Sequence, residues 1–257
     1  MIDAKTKLFF LLFFASFAMA CIFAFAWSRV NDAPRGKTEL GITFSWVYAR
    51  DLGFNPVKMY TAILDELEVK KVRLPIYWSD VERAQSEYDW AVADSLVQAS
   101  EKNGVDLTLV VGMKVPRWPE CYIPDWAKGF ESARLQEATL SFIKKAVDRY
   151  KNSSSVIRWQ VENEPFFPYG ECPTITRSQF QERVDLVRKL DTRPIQVTVS
   201  GEIGPWVESA KAADVLGLSM YRETWNDFFG YFVYPFSPEF YYLRASLVRN
   251  QVEKVIV

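Results

Sequence analysis

The feature that most constrains this chain is a regular alternation of two hydrophobic periods. Short runs rich in Val, Leu and Ile (Lys71 to Trp78, Val105 to Met113, Val156 to Glu162, Pro194 to Ser200, Asp214 to Tyr221) are separated by longer segments with helical apolar spacing. Glu39 to Trp46 reads as a strand ahead of them, and Glu253 to Val257 begins a seventh. The helices between are marked at their ends. Asn55-Pro56 sets an N-cap residue before a proline at the first helical position, and Val57, Tyr60, Leu64 and Leu67 then share a face. Trp90 to Lys102 is stopped by Gly104, and Ala133 to Tyr150 aligns Leu135, Ala138, Phe142, Ala146 and Tyr150. Thr176-x-x-Gln179 is a capping box ahead of Phe180, Val184, Val187 and Leu190. A short helix is expected near Trp206, and Ser237-Pro238-Glu239 opens another that runs to about Asn250. Strands alternating with helices imply βαβ units and a parallel sheet.

A parallel sheet is either open and doubly wound or closed into a barrel. Buried strands of an open sheet read as continuous apolar runs. Here Arg73, Thr108, Gln160, Glu162 and Thr198 punctuate the strands at alternating positions, which suits a barrel interior. No Gly-rich phosphate loop follows the first strand. The expected fold is α/β, a (β/α)8 TIM-type barrel over residues 31–257, incomplete, with about seven strands present.

Residues 1–30 are set apart as a membrane anchor or signal segment. Leu8 to Trp27 carries no charge and is long enough to span a bilayer at about 1.5 Å per residue. Lys5 and Lys7 precede it, which favours a cytoplasmic N-terminus. Two readings stay open: an uncleaved transmembrane anchor, or a signal peptide removed at Ala18-Met19-Ala20, just before Cys21. Both place the barrel outside the cytoplasm, membrane-anchored or secreted, where disulfides are permitted.

The sequence contains no histidine. That removes Ser-His-Asp and Cys-His mechanisms and His-based metal sites, and leaves acid–base chemistry to Asp, Glu, Tyr, Lys or Cys. A net charge of −1 gives nucleic acid no footing. Aromatics at 16%, with nine Trp, fit either a large core or a carbohydrate site where flat rings stack on sugars.

Barrel active sites sit at the C-terminal ends of the strands. The fourth strand ends Gln160-Val161-Glu162-Asn163-Glu164-Pro165, and Pro165 terminates its ladder. Simple alternation puts Gln160, Glu162 and Glu164 on one face, Glu164 topmost at the mouth. Glu162 then lies one layer lower, with Arg73 as its partner for an otherwise costly charge.

Asn163-Glu164-Pro165 at this place resembles the acid/base signature of the clan A retaining glycoside hydrolases, including families 5, 39 and 42. Val72-Arg73-Leu74-Pro75-Ile76-Tyr77-Trp78 is similar to the second-strand arginine motif of that clan. Tyr88-Asp89-Trp90, followed by Asp94, Ala99 and Gly104, resembles a third segment. The likeness runs from about Gly41 to Val257. It implies hydrolysis of O-glycosidic bonds in a β-linked oligo- or polysaccharide by a retaining two-carboxylate mechanism, with no metal or organic cofactor. Glu164 would be the acid/base and Asn163 would hydrogen-bond the sugar 2-hydroxyl. Arg73 would hold the catalytic carboxylates, and Tyr221 would contact the nucleophile.

The sequence departs from family 5 where Gly112-Met113-Lys114 and Ser219 replace histidine positions. The family nucleophile follows the seventh strand, so the chain is expected to be a truncated enzyme; Glu202 and Glu223 are the nearest substitutes. Trp46, Trp78, Trp118 and Trp225 fall at or past strand ends, as sugar platforms or packing plugs, with at least two expected to line a groove. Cys121 and Cys172, on loops after the third and fourth strands, form a disulfide or remain two thiols. Two other classes stay open: a membrane-tethered carbohydrate-binding protein without turnover, and a barrel aldolase using Lys114 as a Schiff-base lysine.

Overall fold

The computed structural model describes residues 4–31, 38–226, 228 and 230–257. After helix α1 (Ala4–Asn31) the chain alternates as its periods require. The elements in order are β1 (Ile42–Thr43), α2 (Trp46–Asp51), α3 (Pro56–Leu67), β2 (Lys71–Pro75), α4 (Trp78–Val81) and α5 (Ala91–Lys102). Then come β3 (Asp106–Val111), α6 (Ser132–Tyr150), β4 (Val156–Val161), α7 (Arg177–Leu190), β5 (Ile195–Ser200), α8 (Trp206–Lys211) and β6 (Val215–Ser219). A hairpin, β7 (Glu223–Asn226) with β8 (Gly230–Val233), precedes α9 (Pro238–Val248) and β9 (Lys254–Ile256).

Seven strands form one parallel sheet in the order β1-β2-β3-β4-β5-β6-β9, each crossover leading to the next neighbour, as in a barrel wall. The sheet curls. Lys254 of β9 reaches Glu39, just ahead of β1, at 4.0 Å, and Lys71 of β2 meets the same carboxylate at 3.2 Å. β1 and β9 do not pair with each other, so the wall is a partial barrel. The likeness to a TIM barrel is in strand order and curvature.

The caps act where the sequence sets them. The Asn55 side chain accepts from the Lys58 N–H at 3.0 Å, with Pro56 opening α3. Thr176 and Gln179 complete a reciprocal capping box on α7. Inside the wall β5 shows the barrel logic: Ile195, Val197 and Val199 alternate with Gln196, Thr198 and Ser200, and all six are buried. The apolar set packs towards the helices, while Gln196 and Thr198 hydrogen-bond Gln160 across the interior.

Three expectations change. The first strand is only two residues long because Ser45 caps a helix that takes Trp46 as its first residue. The β7–β8 hairpin stands where a plain connection was expected. Among the described residues no helix is long and apolar enough to cross a membrane, so the span expected over Leu8 to Trp27 is not supported.

Candidate active site

The site lies where β4 stops. Val161 is its last residue, and Glu162 and Glu164 both take positive φ, 56° and 45°. Such angles are uncommon outside glycine. They break the two-residue alternation, so the expectation that Gln160, Glu162 and Glu164 share a face is corrected. The Glu162 side chain points away from the barrel axis. Its carboxylate accepts from the Met113 and Lys114 N–H groups at 3.2 and 2.6 Å and pairs with Arg183 of α7 at 2.6 Å. Arg183 in turn clamps the Gln136 Oε1 of α6 with Nε and Nη2. Gly112, at φ 132°, makes room: a Cβ there would fall on the Glu162 carboxylate. The pair is buried on both sides. Arg73 is therefore not the partner of Glu162.

Arg73 faces the interior instead. Its Nε donates to Gln160 Oε1 at 2.8 Å and its Nη2 to Asn163 Oδ1 at 2.6 Å. Asn163 Oδ1 also accepts from Thr198 at 3.2 Å, and the Glu164 N–H donates to the same hydroxyl at 3.0 Å. One arginine and one threonine thus fix both residues of the Asn163-Glu164 step. Burial lowers the Arg73 guanidinium below its usual range, opposed by the nearby Glu164, Tyr221 and Glu120.

The Glu164 side chain is buried, and its Oε1 has no hydrogen-bond partner among the described residues. Burial pushes its carboxyl above the usual range, and Glu202 adds to the rise. Ser219, Lys114 and Arg73 pull the other way. A carboxyl whose hold on its proton is strengthened is better suited to act as a general acid. Lys114 is close but occupied: its Nζ donates to the carbonyls of Glu164 and Phe167 at 3.1 and 2.6 Å. That ammonium holds the turn after β4 and is not presented to a ligand as an imine-forming lysine.

Two further carboxylates converge here. Glu202, after β5, accepts from the Tyr221 N–H at 3.1 Å, Tyr241 Oη at 2.8 Å and Ser200 Oγ at 3.3 Å. Glu120 was missed in the sequence. It sits in the loop after β3, where Lys114 bridges Cys121 and Asn163 Nδ2 donates to Glu120 Oε1 at 3.1 Å. Its only sequence signal was a carboxylate beside Cys121 in a mouth loop. Tyr221 stands exposed beside these groups and meets Glu202 through its backbone; Glu223 begins the hairpin.

The tryptophans divide. Trp46 and Trp78 are fully buried: Trp46 Nε1 donates to Asp80 at 2.8 Å, and Trp78 stacks on Phe142 with 5.5 Å between centroids. These two are packing plugs, since each ring meets apolar neighbours on its faces and satisfies its N–H internally. Trp118 and Trp225 are exposed, Trp118 edge-on to exposed Tyr169 at 5.9 Å and Trp225 on β7. Cys121 and Cys172 are joined, with Cα atoms 5.0 Å apart, tying the loop after β3 to the loop after β4.

With this geometry in view, the comparisons are specific. The Glycosyl hydrolase family 10 model matches residues 73–185, the stretch from Arg73 through Glu164 to α7. Over that stretch the chain is similar to glycoside hydrolases, and its fold is that of a (β/α)-barrel wall. A curated relative, β-galactosidase BgaA of Clostridium cellulovorans, is 20% identical over 56% of this clan A-like chain and 25% of its own length. Among solved structures, a GH5_18 protein from Streptomyces cattleya in complex with GlcNAc aligns with TM-score 0.57 and 12% identity, covering 74% of this chain and 52% of that one. An endo-β-1,4-xylanase of family 10 from Gloeophyllum trabeum aligns with TM-score 0.52 and 16% identity, covering 69% and 60%. At these identities the structures speak for the fold. The clan A-like chain spans a quarter of the curated relative and somewhat more than half of these two structures.

Proposed function

We propose that this protein hydrolyses O-glycosidic bonds in a β-linked oligo- or polysaccharide, with Glu164 as general acid/base. The observation that carries the reading is Glu164 itself: a buried carboxyl at the C-terminal end of β4, lifted in proton affinity, with one oxygen unpartnered. An acid in that state donates to a glycosidic oxygen and, once ionised, deprotonates water. Asn163, locked by Arg73 and Thr198, has an amide proton left beyond its bond to Glu120 and is placed to donate to a sugar hydroxyl. Exposed Trp118, Tyr169 and Trp225 offer faces on which a sugar ring stacks. A retaining reaction takes a second carboxylate about 5–5.5 Å from the first. The Cys121–Cys172 bridge supports a location outside the reducing cytoplasm.

The test is a screen of the protein against aryl β-glycosides, β-glucan, mannan and xylan, with Glu164→Gln as control and the anomer of the product read by NMR. Turnover abolished by the substitution is expected. One observation favours a second reading, carbohydrate binding without turnover: Glu202, the carboxylate after β5, already accepts three hydrogen bonds. Saturable glycan binding with no hydrolysis of any substrate would select that reading.

A further inference from the structure

We propose that Glu120 is a second working carboxyl of the Glu164 pocket: a positioning residue that orients Asn163 and forms with Glu164 a pair of buried carboxyls whose protonation is coupled. The effect on turnover rests on the hydrolase reading; the coupling itself does not.

The loop after β3 is built to deliver this side chain. It folds back on itself, with the Val115 N–H donating to the Glu120 carbonyl at 2.9 Å and the Glu120 N–H to the Arg117 carbonyl at 2.7 Å. Glu120 sits at φ 64°, a costly conformation for a residue with a Cβ. Gly170, also at positive φ, lies so close that a Cβ there would meet the Pro119 carbonyl at 2.7 Å and the Glu120 Cβ at 2.9 Å. The disulfide next door fixes the two loops. The result is a carboxyl that is 9% exposed and turned inward.

Its partners are few. Oε1 accepts from Asn163 Nδ2, while Oε2 has no hydrogen bond among the described residues and lies 3.8 Å from Lys114 Nζ. Glu164 Oε1 is unpartnered in the same way. The same two cations, Lys114 and Arg73, attract both carboxyls, while their hydrogen bonds go to two backbone carbonyls and to Gln160 and Asn163. Glu120 faces Lys114 from its own loop, Glu164 from the turn after β4 and Arg73 from β2, and its charge is felt by Tyr122 and Tyr221. Glu164 faces Ser219 from β6, Glu202 from the turn after β5, and the same Lys114, Arg73 and Tyr221. Glu202 has its own cation in Arg244, so Glu120 and Glu164 are left to share Lys114 and Arg73, and two buried like charges in one pocket favour retaining a proton. Burial first, then Glu164, pushes Glu120 up to about 7, against Lys114, Asn163 and Arg73.

The experiment is a carboxyl NMR titration of the full chain carrying 13C-labelled glutamate, as wild type, Glu120→Gln and Glu164→Gln. Glutamine keeps an oxygen for Asn163 Nδ2 and removes only the titration. In Glu120→Gln the Glu164 carboxyl should titrate at least about half a unit lower, and in Glu164→Gln the Glu120 carboxyl should fall likewise. A smaller change in both overturns the pairing. Coupling is reciprocal, so either variant decides the matter if the other fails to fold. Where turnover is measurable, Glu120→Gln should move the basic limb of the kcat/KM profile to lower pH. A uniform loss of rate with an unmoved limb would make Glu120 a packing residue and overturn its role. Wild-type protein without turnover would sink the hydrolase reading while leaving the titration to decide the pair.

Discussion

Glu162 and Glu164 stand two residues apart and live in opposite surroundings. Glu162, directed towards the helices, receives two backbone N–H groups and the Arg183 guanidinium. Glu164, directed into the pocket, keeps one oxygen unpartnered and shares Lys114 and Arg73 with Glu120. The fold compensates one charge completely and the other incompletely. A fully compensated carboxylate holds structure together; an incompletely compensated one holds a proton. Positive φ at both residues breaks the two-residue alternation, so that Glu162 turns towards Arg183 of α7 while Asn163 meets Arg73 on the interior side.

The contrast can be broken most sharply by paired substitutions. Glu164→Gln should lower glycosidase activity by about 10²–10⁴-fold with the unfolding midpoint unchanged or raised, because a buried group that lacks a partner as an anion no longer has to ionise. If Glu162→Gln gave the same rate loss with an unchanged midpoint, the assignment of roles would be reversed. Arg183→Met should destabilise the protein by about 3–5 kcal/mol in urea unfolding, since it strands a buried carboxylate. Adding Glu162→Leu should recover much of that loss; failure to recover any would mean that Arg183 acts through packing alone.

Glutamate titration sharpens the same comparison through pH. Glu120 titrates at about 7 in the folded protein against 4.5 in its ordinary state. The folded protein binds the extra proton, so this contribution is fully present below about 4.5 and is lost as pH rises towards about 7. The loss should be on the order of 1–3 kcal/mol, and Glu120→Gln should flatten it. A wild-type stability that rises over that window by this amount would contradict the raised proton affinity of Glu120. The smallest expected effect is at the rim. Trp118→Ala should weaken glycan binding by about 0.5–1.5 kcal/mol, seen as a several-fold rise in KM or Kd, while leaving kcat and the unfolding midpoint nearly unchanged.

What could be read from sequence followed from what sequence encodes locally. Asn55-Pro56 and Thr176-x-x-Gln179 fix helix starts by bonds within four residues, and the alternation in β5 fixes inside from outside. Glu164 could be singled out because it follows the end of a strand whose order the fold preserves, and Arg73 and Asn163 through the motifs of the family they resemble. The direction of Glu162 could not, because counting in twos presumes extended backbone through a position where φ is 56°. Trp46 and Trp78 share their strand-end places with the exposed Trp118 and Trp225; what separates them is burial by α2, α6 and their neighbours, which is long-range. Glu120 reaches the pocket through a loop whose shape depends on Gly170, fifty residues further on.

The bond between Cys121 and Cys172 has a consequence for traffic. It welds the loops above β3 and β4 into one immobile wall, with Trp118 and Tyr169 mounted on it. A lid cannot swing on that side. Elsewhere the β7–β8 hairpin carries Trp225 and Tyr231 into solvent. Any ligand that meets Trp118 and Tyr169 therefore meets a surface fixed in place by that bond.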